Sequence, residues 1–243
     1  IPVVVHILDT DPDFASNCAT VAQIEAQIAA LNEDFTGTNA DISNYPAGDY
    51  PAGTLATNGA CLNFCLATSD HPNTTNLVTT AQNYAINYVQ ITNAQSTNLA
   101  NGTHPSTIIV WGSNPNNGVN NEYMNMWVIP CTGTQGGSCV GLGYAYYPNQ
   151  APANADGFVT SSYAFGTGGC ATAPFDLGRT ATHEIGHYLN LPHIFDGCAN
   201  GDGIADTPDQ SSSNFGCPVT PANTCGTTDP VSYTHLRAHE TKA

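Results

Sequence analysis

The start of the chain contains two distinct patterns of apolar positions. Residues 2–8 form a run rich in β-branched side chains, which predicts a buried strand. Between residues 20 and 35, apolar side chains recur every three or four positions, as on one face of a helix. The chain therefore begins with a buried strand and an amphipathic helix. The apolar face of that helix is predicted to contain Val21, Ile24, Ile28 and Leu31.

Short apolar runs separated by turn-forming residues follow this helix. Residues 36–60 contain glycine, proline, asparagine and aspartate throughout, which predicts a long surface connection. The segment 71–105 is ambiguous, with a helix predicted around residues 80–91. Further strands are predicted at 61–68, 107–111, 122–129, 142–147 and 157–163.

The last predicted helix carries the most informative motif. It is predicted to begin near Leu177, with Asp176 as its N-cap. It then reads H-E-x-x-H from His183 to His187. Positions four apart lie on the same face of a helix, so these two histidines can bind one ion. Glu184 borders the same site, where a carboxylate can accept a proton from metal-bound water. Two histidines at this spacing also occur by chance on ordinary helices.

A third histidine makes the motif specific. His193 lies six residues after His187, beyond Asn190 and Pro192. Asparagine tolerates the left-handed backbone conformation and proline cannot continue a helix, so the chain is expected to leave the helix here. Three nitrogen ligands leave the fourth position of a zinc ion open to water, as in catalytic sites. The sequence therefore predicts one zinc ion bound by His183, His187 and His193.

The composition restricts the classes of partner. Charged residues make up 9% of the 243 residues, with 19 acidic and three basic side chains and a formal net charge of −16. Nucleic acids and anionic membranes would be repelled by this charge. The charge is compatible with basic peptide substrates, with cation binding or with a salty environment. The chain has no apolar run of about 18 residues, so no membrane span is predicted.

Nine cysteines predict an oxidising, extracellular compartment, with buried free thiols as the alternative. Cys131 and Cys139 flank a glycine-rich loop that a local disulfide can close. Cys61 and Cys65 lie too far apart on a predicted strand to bridge each other. Each of these two therefore needs a remote partner, and Cys18 is one candidate.

The zinc motif and several segments around it resemble the metzincin metallopeptidases, and within them the pappalysin and cytophagalysin group. The resemblance covers roughly residues 1–229. Asn190 stands where metzincins usually carry glycine, which keeps the turn plausible but less free. The similar segments are 1–7, 27–35, 123–128, 142–145, 156–159, 178–180, 206–208 and 216–218.

This resemblance implies an α+β fold. A twisted, mostly parallel sheet with one antiparallel edge strand is expected to pack on helices that include the zinc-binding helix. The edge strand is assigned to residues 141–146, where an extended peptide would pair with the main chain. Residues 1–193 are expected to form the N-terminal catalytic subdomain, and residues 194–230 the start of an incomplete C-terminal subdomain.

The resemblance also implies a secreted, zinc-dependent endopeptidase. Glu184 is expected to take a proton from the zinc-bound water, which attacks the scissile carbonyl of a protein or peptide substrate, and to pass the proton to the leaving amine. The alternative is a non-catalytic secreted binding or adhesion module with structural metal sites. A fourth protein ligand on the zinc would favour that module, because structural zinc is usually closed by four ligands. The sequence does not indicate the oligomeric state.

Residues 196–209 interleave acidic side chains with glycine. Such a segment is typical either of a calcium site with oxygen ligands or of a solvated acidic turn, and it lacks the EF-hand pattern. Members of the resembled family bind structural calcium, which favours the calcium site. The family pattern also implies a Cys198–Cys225 disulfide, with Cys217 left for a cysteine that the chain does not reach. A Cys198–Cys217 pair is the alternative.

Both ends of the chain are unusual. Ile1 opens directly on a strand, so a signal and any pro-segment are expected to have been removed. Metzincins carry a methionine in a turn beneath the zinc, after the third histidine, whereas Met124 and Met126 both precede it. The chain is therefore expected to be truncated within its C-terminal subdomain, which leaves the activity of the fragment itself open. Residues 231–243 change character abruptly and are interpreted as an artefactual tail.

Overall fold

The structure is a computed structural model that describes separate parts of the chain between residues 1 and 226. The described residues are 1–41, 60, 62–68, 77–79, 84–104, 123–130, 141–151, 155–195, 197–199, 202–203, 209–213 and 223–226. Several predicted features lie outside them, namely the strand at 107–111, the Cys131–Cys139 pair, Cys61, Cys217, the tail 231–243 and most of the connection at 36–60. No helix among the described residues is long and apolar enough to cross a membrane.

Strands and helices follow one another along the described chain. The elements are β1 (Pro2–Asp9), α1 (Val21–Thr36), β2 (Cys65–Leu66), β3 (Leu77–Thr79), β4 (Ala85–Gln90), α2 (Asn93–Ala100), β5 (Met124–Ile129), β6 (Gly143–Ala145), β7 (Gly157–Ser161) and α3 (Arg179–Tyr188). A short 3-10 turn at Ser162–Ala164 follows β7.

These strands form one mixed sheet in the order β3-β4-β1-β5-β7-β6, with β2 beside the start of β1. The strands β1, β2, β4, β5 and β7 run parallel. At the two edges, β6 is antiparallel to β7 and β3 is antiparallel to β4. The expected α+β fold, with a mostly parallel sheet and an antiparallel edge strand within 141–146, is thus confirmed. The second antiparallel edge, β3, is not implied by the resemblance.

The strand predicted at residues 2–8 is the centre of this sheet. Every residue from Val3 to Leu8 is completely buried, because helices cover both faces. Val3, Val5 and Ile7 pack on the side of α1 and α3, and Leu8 packs on the side of α2. A strand buried on both faces reads as a continuous apolar run instead of an alternating one.

The helix predicted at residues 20–35 is confirmed as α1. The Thr20 side chain caps it by accepting a hydrogen bond from the Gln23 backbone N–H, and Gly37 ends it at a φ of 68°. Its buried apolar residues follow the helical period and join the core between α1, α3 and the sheet. They are Ile24, Ile28, Leu31 and Phe35, whereas Val21 is only partly buried.

Two of the secondary-structure predictions are corrected. The helix predicted around residues 80–91 is wrong, because the strand β4 occupies Ala85–Gln90. Ile86 and Asn87 lie on opposite faces of this inner strand and are both buried. The sequence therefore lacks the alternation of apolar and polar residues that marks a strand with one solvated face. The helix in this region is α2, which starts with a Thr92–Gln95 capping box. The strand predicted at 61–68 is reduced to β2 and an isolated bridge at Thr68.

One disulfide joins the start of α1 to the segment that leads into α3. Cys18 pairs with Cys170, which lies 152 positions later in the sequence, and their Cα atoms are 5.9 Å apart. The candidate pairing of Cys18 with Cys61 or Cys65 is therefore wrong. Among the described residues, Cys65 keeps a free and exposed thiol. The sequence alone could not identify the disulfide partner of Cys18, because this bridge depends on how α1 packs against a loop far along the chain.

Two glutamines of α1 hold the same loop. The buried amide of Gln27 donates to the carbonyl of Gly178 and accepts from the N–H of Gly166, at 3.0 and 2.7 Å. Gln23 donates to the carbonyl of Phe165 at 3.0 Å. A Cβ atom on Gly166 would lie 2.6 Å from the Gln23 carbonyl, so the loop approaches α1 too closely for any side chain there. The two ends of the segment 165–178 are thus fastened to α1.

A buried polar cluster lies on the α2 side of the sheet. His6 of β1 is completely buried between Asn87 on β4 and Trp127 on β5. Its Nε2 lies 2.9 Å from Asn125 Oδ1 and its Nδ1 lies 2.9 Å from Asn87 Nδ2, so a neutral ring donates once and accepts once. Trp127 stacks on His6, and His104 meets the same indole edge-on. Burial, against the opposing effect of the Asn125 hydrogen bond and with a smaller contribution from the nearby His104, lowers the pKa of His6 to about 4.

The buried His6 makes the fold sensitive to acid. Above pH 6.5 the ring is neutral in both the folded and the unfolded chain, so it gives no pH dependence. As the pH falls from 6.5 to 4, the unfolded chain binds a proton that the folded chain does not. We expect this difference to reduce the free energy of unfolding by about 3 kcal/mol at pH 4.

Urea unfolding at pH 7.0 and pH 4.5, with a chelator present, measures this loss. The same pair of measurements on His6→Gln removes only the titrating group. A fall of equal size in both proteins would show that other residues cause the acid sensitivity.

Candidate metal centre

The helix α3 starts where a left-handed glycine turns the chain. Gly178 is the N-cap at a φ of 73° and makes no side-chain capping bond. The predicted cap, Asp176, lies two residues too early and is therefore wrong. A Cβ on Gly178 would lie 3.0 Å from the Ala30 side chain and 3.1 Å from Gln27 Nε2. Close packing on α1 thus sets the helix start, and the helix prediction itself is confirmed.

Buried polar contacts connect the first turn of α3 to α1. Arg179 forms an ion pair with Asp34, whose side chain is completely buried, and a second one with Asp41 at 2.8 Å. One turn further along, the hydroxyl of Thr182 donates to Asp34 Oδ2 at 2.6 Å. A single carboxylate of α1 therefore contacts two side chains of α3 that lie one helical turn apart. The second of these immediately precedes His183.

The three histidines of the motif converge on one point. The Nε2 atoms of His183 and His187 are 3.1 Å apart, and those of His187 and His193 are also 3.1 Å apart. The His193–His183 separation is 3.3 Å. Among the described residues, this trio is the group of histidine, cysteine and carboxylate side chains arranged to hold a metal ion. The structure thus brings together all three residues that the sequence nominates.

The chain leaves α3 through a tight turn that also orients a histidine. Asn190 adopts a φ of 73°, as expected for the residue that ends the helix. The turn carries the Leu191 carbonyl back to His187 Nδ1, at 2.8 Å. This carbonyl can only accept, so Nδ1 carries the proton and Nε2 presents its lone pair to the cluster. The same turn brings His193 from outside the helix to the other two rings.

Burial keeps the histidines in the form that binds metals. It lowers the pKa of His183 to about 4. It also lowers the pKa of His187, against the opposing effect of the Leu191 carbonyl and with a further reduction from His183. Both rings are therefore neutral at pH 7, and neutral imidazole nitrogen is the ligand that divalent transition metals bind.

Glu184 is buried against the edge strand β6. Its side chain is only 6% exposed. Burial raises the pKa of Glu184 to about 8, and a hydrogen bond from the Ala145 backbone N–H opposes this rise. A carboxyl group whose pKa lies near neutrality can accept and release a proton, which suits general acid–base chemistry. The structure places Glu184 next to His183, between α3 and β6.

Two aromatic residues that the sequence did not single out lie against the histidines. Tyr147 meets His187 edge-on, with ring centroids 5.3 Å apart. Phe195 stacks nearly parallel on His193 at 4.7 Å. Phe195 follows His193 by two residues, so its proximity to the site was readable from the motif. Tyr147 reaches the site only because β6 runs alongside α3, and no local pattern signals this.

A second disulfide lies beyond the histidines. Cys198 pairs with Cys225, with Cα atoms 5.2 Å apart, which confirms the bridge implied by the resemblance. It closes a loop of 27 residues beside hydrogen bonds from Gly197 to the Gln210 carbonyl and from Ser211 to Thr224. Two of the four acidic residues of the segment 196–209, Asp196 and Asp206, lie outside the described residues.

The sequence matches a peptidase family. Residues 115–237 match the profile described as pregnancy-associated plasma protein-A. Among curated proteins, extracellular metalloprotease 1 of Coccidioides posadasii is 44% identical over 87 residues, and an extracellular metalloprotease of Podospora anserina is 43% identical over 84 residues. Each alignment covers 32% of this chain, and 30% and 28% of the respective relative. The matched part therefore spans less than a third of the length of these curated relatives.

Solved structures match over almost the whole chain. Mature mirolysin of Tannerella forsythia, in complex with a cleaved peptide, superposes with a TM-score of 0.70 and 33% identity, covering 100% of this chain and 86% of mirolysin. Promirolysin from the same organism gives a TM-score of 0.66 and 34% identity, covering 95% of this chain and 69% of the other. The sheet and helices described above, which carry the histidine site, therefore form a fold similar to that of a known metalloprotease.

The Asp34–Arg179 pair should matter more to stability than the Asp41–Arg179 pair. Asp34→Ala leaves a largely buried guanidinium with one partner fewer and removes the acceptor of Thr182. We expect it to lower the free energy of unfolding by about 3 kcal/mol. Asp41→Ala removes a partner that is 26% exposed and should cost less than about 1 kcal/mol. Urea unfolding of both variants measures the difference, and equal losses would contradict the assignment.

Proposed function

Because the chain belongs to the peptidase family described as pregnancy-associated plasma protein-A, the pappalysins, we propose that it is part of a secreted zinc endopeptidase. The observation that carries this proposal is the convergence of three Nε2 atoms within 3.1–3.3 Å of one another, with the buried Glu184 beside them. The family gives the reaction class, and the cluster supplies the groups that the reaction needs.

The proposed metal ligands are His183, His187 and His193. Zinc binds imidazole nitrogen at about 2.0–2.1 Å with tetrahedral geometry, which places ligand nitrogens roughly 3.3 Å apart. The separations in the cluster fit that value closely. The described residues contribute no fourth histidine, cysteine or carboxylate to the group, which supports an open, catalytic type of site.

Glu184 is proposed as the general base and acid. Bound zinc would supply Lewis-acid chemistry, lowering the pKa of a water molecule and polarising the scissile carbonyl. Glu184 accepts the proton of the attacking water and later donates it to the leaving amine. His183 and His187 act as neutral ligands, and the Leu191 carbonyl fixes the His187 tautomer for that role.

The proposed substrate is a protein or peptide bound in extended form. Mirolysin has been solved with a cleaved peptide, and the curated relatives are named extracellular metalloproteases, which supports both the substrate class and secretion. The edge strand β6 lies beside Glu184 and is suited to main-chain pairing with a peptide. The net charge of −16 favours basic peptides over nucleic acid.

The same family membership supports a division of the chain. We propose that residues 1–193 form the N-terminal catalytic subdomain and that residues 194–230 begin a C-terminal subdomain. The tail 231–243 is proposed to lie outside both.

The acidic segment 196–209 is proposed to bind structural calcium. Asp202 within this segment and Gln210 directly after it are buried side chains. The Gln210 amide donates to the Ser212 carbonyl at 2.5 Å, while its Oε1 has no hydrogen-bond partner. A buried amide oxygen is a ligand that Ca²⁺ accepts readily. The Cys198–Cys225 bridge would hold such a site beside the metal centre.

Zinc content and peptidase activity test the proposed function separately. The purified chain should hold one zinc ion, and His193→Ala should reduce zinc content measured by elemental analysis at low free zinc. In the full-length protein, Glu184→Gln should retain zinc and lower kcat by about 10²–10⁴-fold, because the proton transfer is lost.

Three results would exclude all or part of this proposal. Undiminished zinc in His193→Ala would remove the three-histidine site. An active, zinc-loaded Glu184→Gln protein would show that another group is the base. A tightly zinc-loaded full-length protein that cleaves no peptide would favour a secreted binding or adhesion module with structural metal sites.

Calcium should stabilise the chain through the segment 196–209. Adding saturating calcium to chelator-treated protein should raise Tm by about 5 °C, whereas magnesium should not. Gln210→Leu, which removes the amide oxygen, should weaken the response, and Ser212→Ala, which keeps the contacted backbone carbonyl, should not. An identical calcium response in Gln210→Leu, or no response in the original chain, would contradict the site.

A further inference from the structure

The edge strand β6 touches the side chain that is proposed to move the proton. Gly143 and Ala145 face α3, whereas Tyr144 between them packs on the opposite side of the sheet. A Cβ atom built on Gly143 would lie 3.1 Å from Glu184 Cγ and 3.2 Å from Glu184 Oε1. These separations are shorter than ordinary carbon contacts. Glu184 therefore occupies the space that any side chain at position 143 would need.

The same strand holds the Glu184 carboxylate by its main chain. The Ser161 N–H donates to the Leu142 carbonyl at 2.8 Å, which makes residues 142 and 161 a hydrogen-bonded pair of the antiparallel ladder. Such pairs alternate, so Ala145, opposite Phe158, directs its N–H away from β7. The sheet does not use this outward donor. It donates to the Glu184 carboxylate instead.

The strand cannot easily move back to admit a side chain. Leu142 is tied to β7 by the Ser161 N–H and by the Thr160 hydroxyl, which donates to the same carbonyl at 3.3 Å. A Cβ on Gly143 would also lie 2.8 Å from the Val159 carbonyl of β7. Any shift of β6 away from Glu184 would therefore strain the β6–β7 pairing and weaken the Ala145 contact.

We infer that Gly143 is a positioning residue: its missing side chain lets β6 press against Glu184, so that the Ala145 N–H fixes the carboxylate beside the three histidines. This inference rests on the proposed role of Glu184 as the base. Glycine is needed here because a Cβ atom would meet both the Val159 carbonyl at 2.8 Å and Glu184 at 3.1–3.2 Å, and the need is not a left-handed backbone.

Kinetics of Gly143→Ala in the full-length protein test the inference. We expect kcat to fall by about 10- to 100-fold with KM and zinc content unchanged, because sub-ångström misplacement of a reacting group costs factors of this size. If β6 acted only as a substrate-binding edge, KM would rise instead. Thr160→Val is the matched control, since it removes one hydroxyl contact to β6 while the Ser161 N–H still holds Leu142; it should lower Tm and reduce kcat far less than Gly143→Ala does.

A double-mutant comparison separates positioning from general damage to the strand. In the Glu184→Gln background the base is already absent, so adding Gly143→Ala should cause no further loss of the residual rate. An equal fold-loss in both backgrounds, a pure KM effect or an unchanged kcat would each overturn the inference. Failure of the proposed function looks different, because either the unmodified full-length protein would then cleave no peptide or Glu184→Gln alone would keep its activity.

Hydrogen exchange keeps the inference falsifiable if Gly143→Ala does not fold. The Ala145 amide should exchange at least about tenfold faster in Glu184→Ala than in the unmodified protein, because its acceptor is gone. Amides of the central strand β1 should exchange at equal rates in both proteins and serve as the internal control. Unchanged protection of the Ala145 amide would show that the carboxylate is not held by β6.

Discussion

The buried carboxylate of Asp34 is the contact on which the placement of α3 depends. A charge without exposure is stable only when paired and hydrogen-bonded, and Asp34 obtains both from Arg179 and Thr182 of α3. The helix can therefore neither rotate nor slide along α1 without leaving that charge unsatisfied. Because His183 follows Thr182 directly, the rotation of α3 that satisfies Asp34 also decides where the histidines point.

The metal centre is consequently assembled from three structural elements: a helix, the turn after it and a strand at the sheet edge. The helix α3 supplies His183 and His187, the left-handed turn at Asn190 supplies His193, and the edge strand β6 secures Glu184. Two of these side chains are held by backbone groups that regular structure leaves unpaired: a carbonyl after the helix end contacts His187, and an N–H at the sheet edge contacts Glu184. Such groups are rigidly positioned and need no side chain of their own to be ordered.

The sequence predicts the parts of this site that depend on local periodicity. Helical spacing places His183 and His187, and the conformational preferences of Asn190 and Pro192 predict the turn that brings His193 back. Contacts across the chain are different, since nothing near Arg179 indicates that Asp34 will be its partner. Strand β4 was missed for a related reason: neighbours cover both of its faces, so its buried Asn87 pairs with His6 and disrupts the expected pattern.

The fastening of the loop 165–178 to α1 has a consequence for the proposed secreted peptidase at high local concentration. A segment must straighten into an extended strand before it fits a protease cleft, and this loop is held at Phe165, Gly166, Cys170 and Gly178. Straightening it would break the buried glutamine bonds and is limited by the disulfide. We expect the stretch that leads into the metal-binding helix to resist self-digestion while the fold is intact, so that autolysis begins elsewhere on the surface.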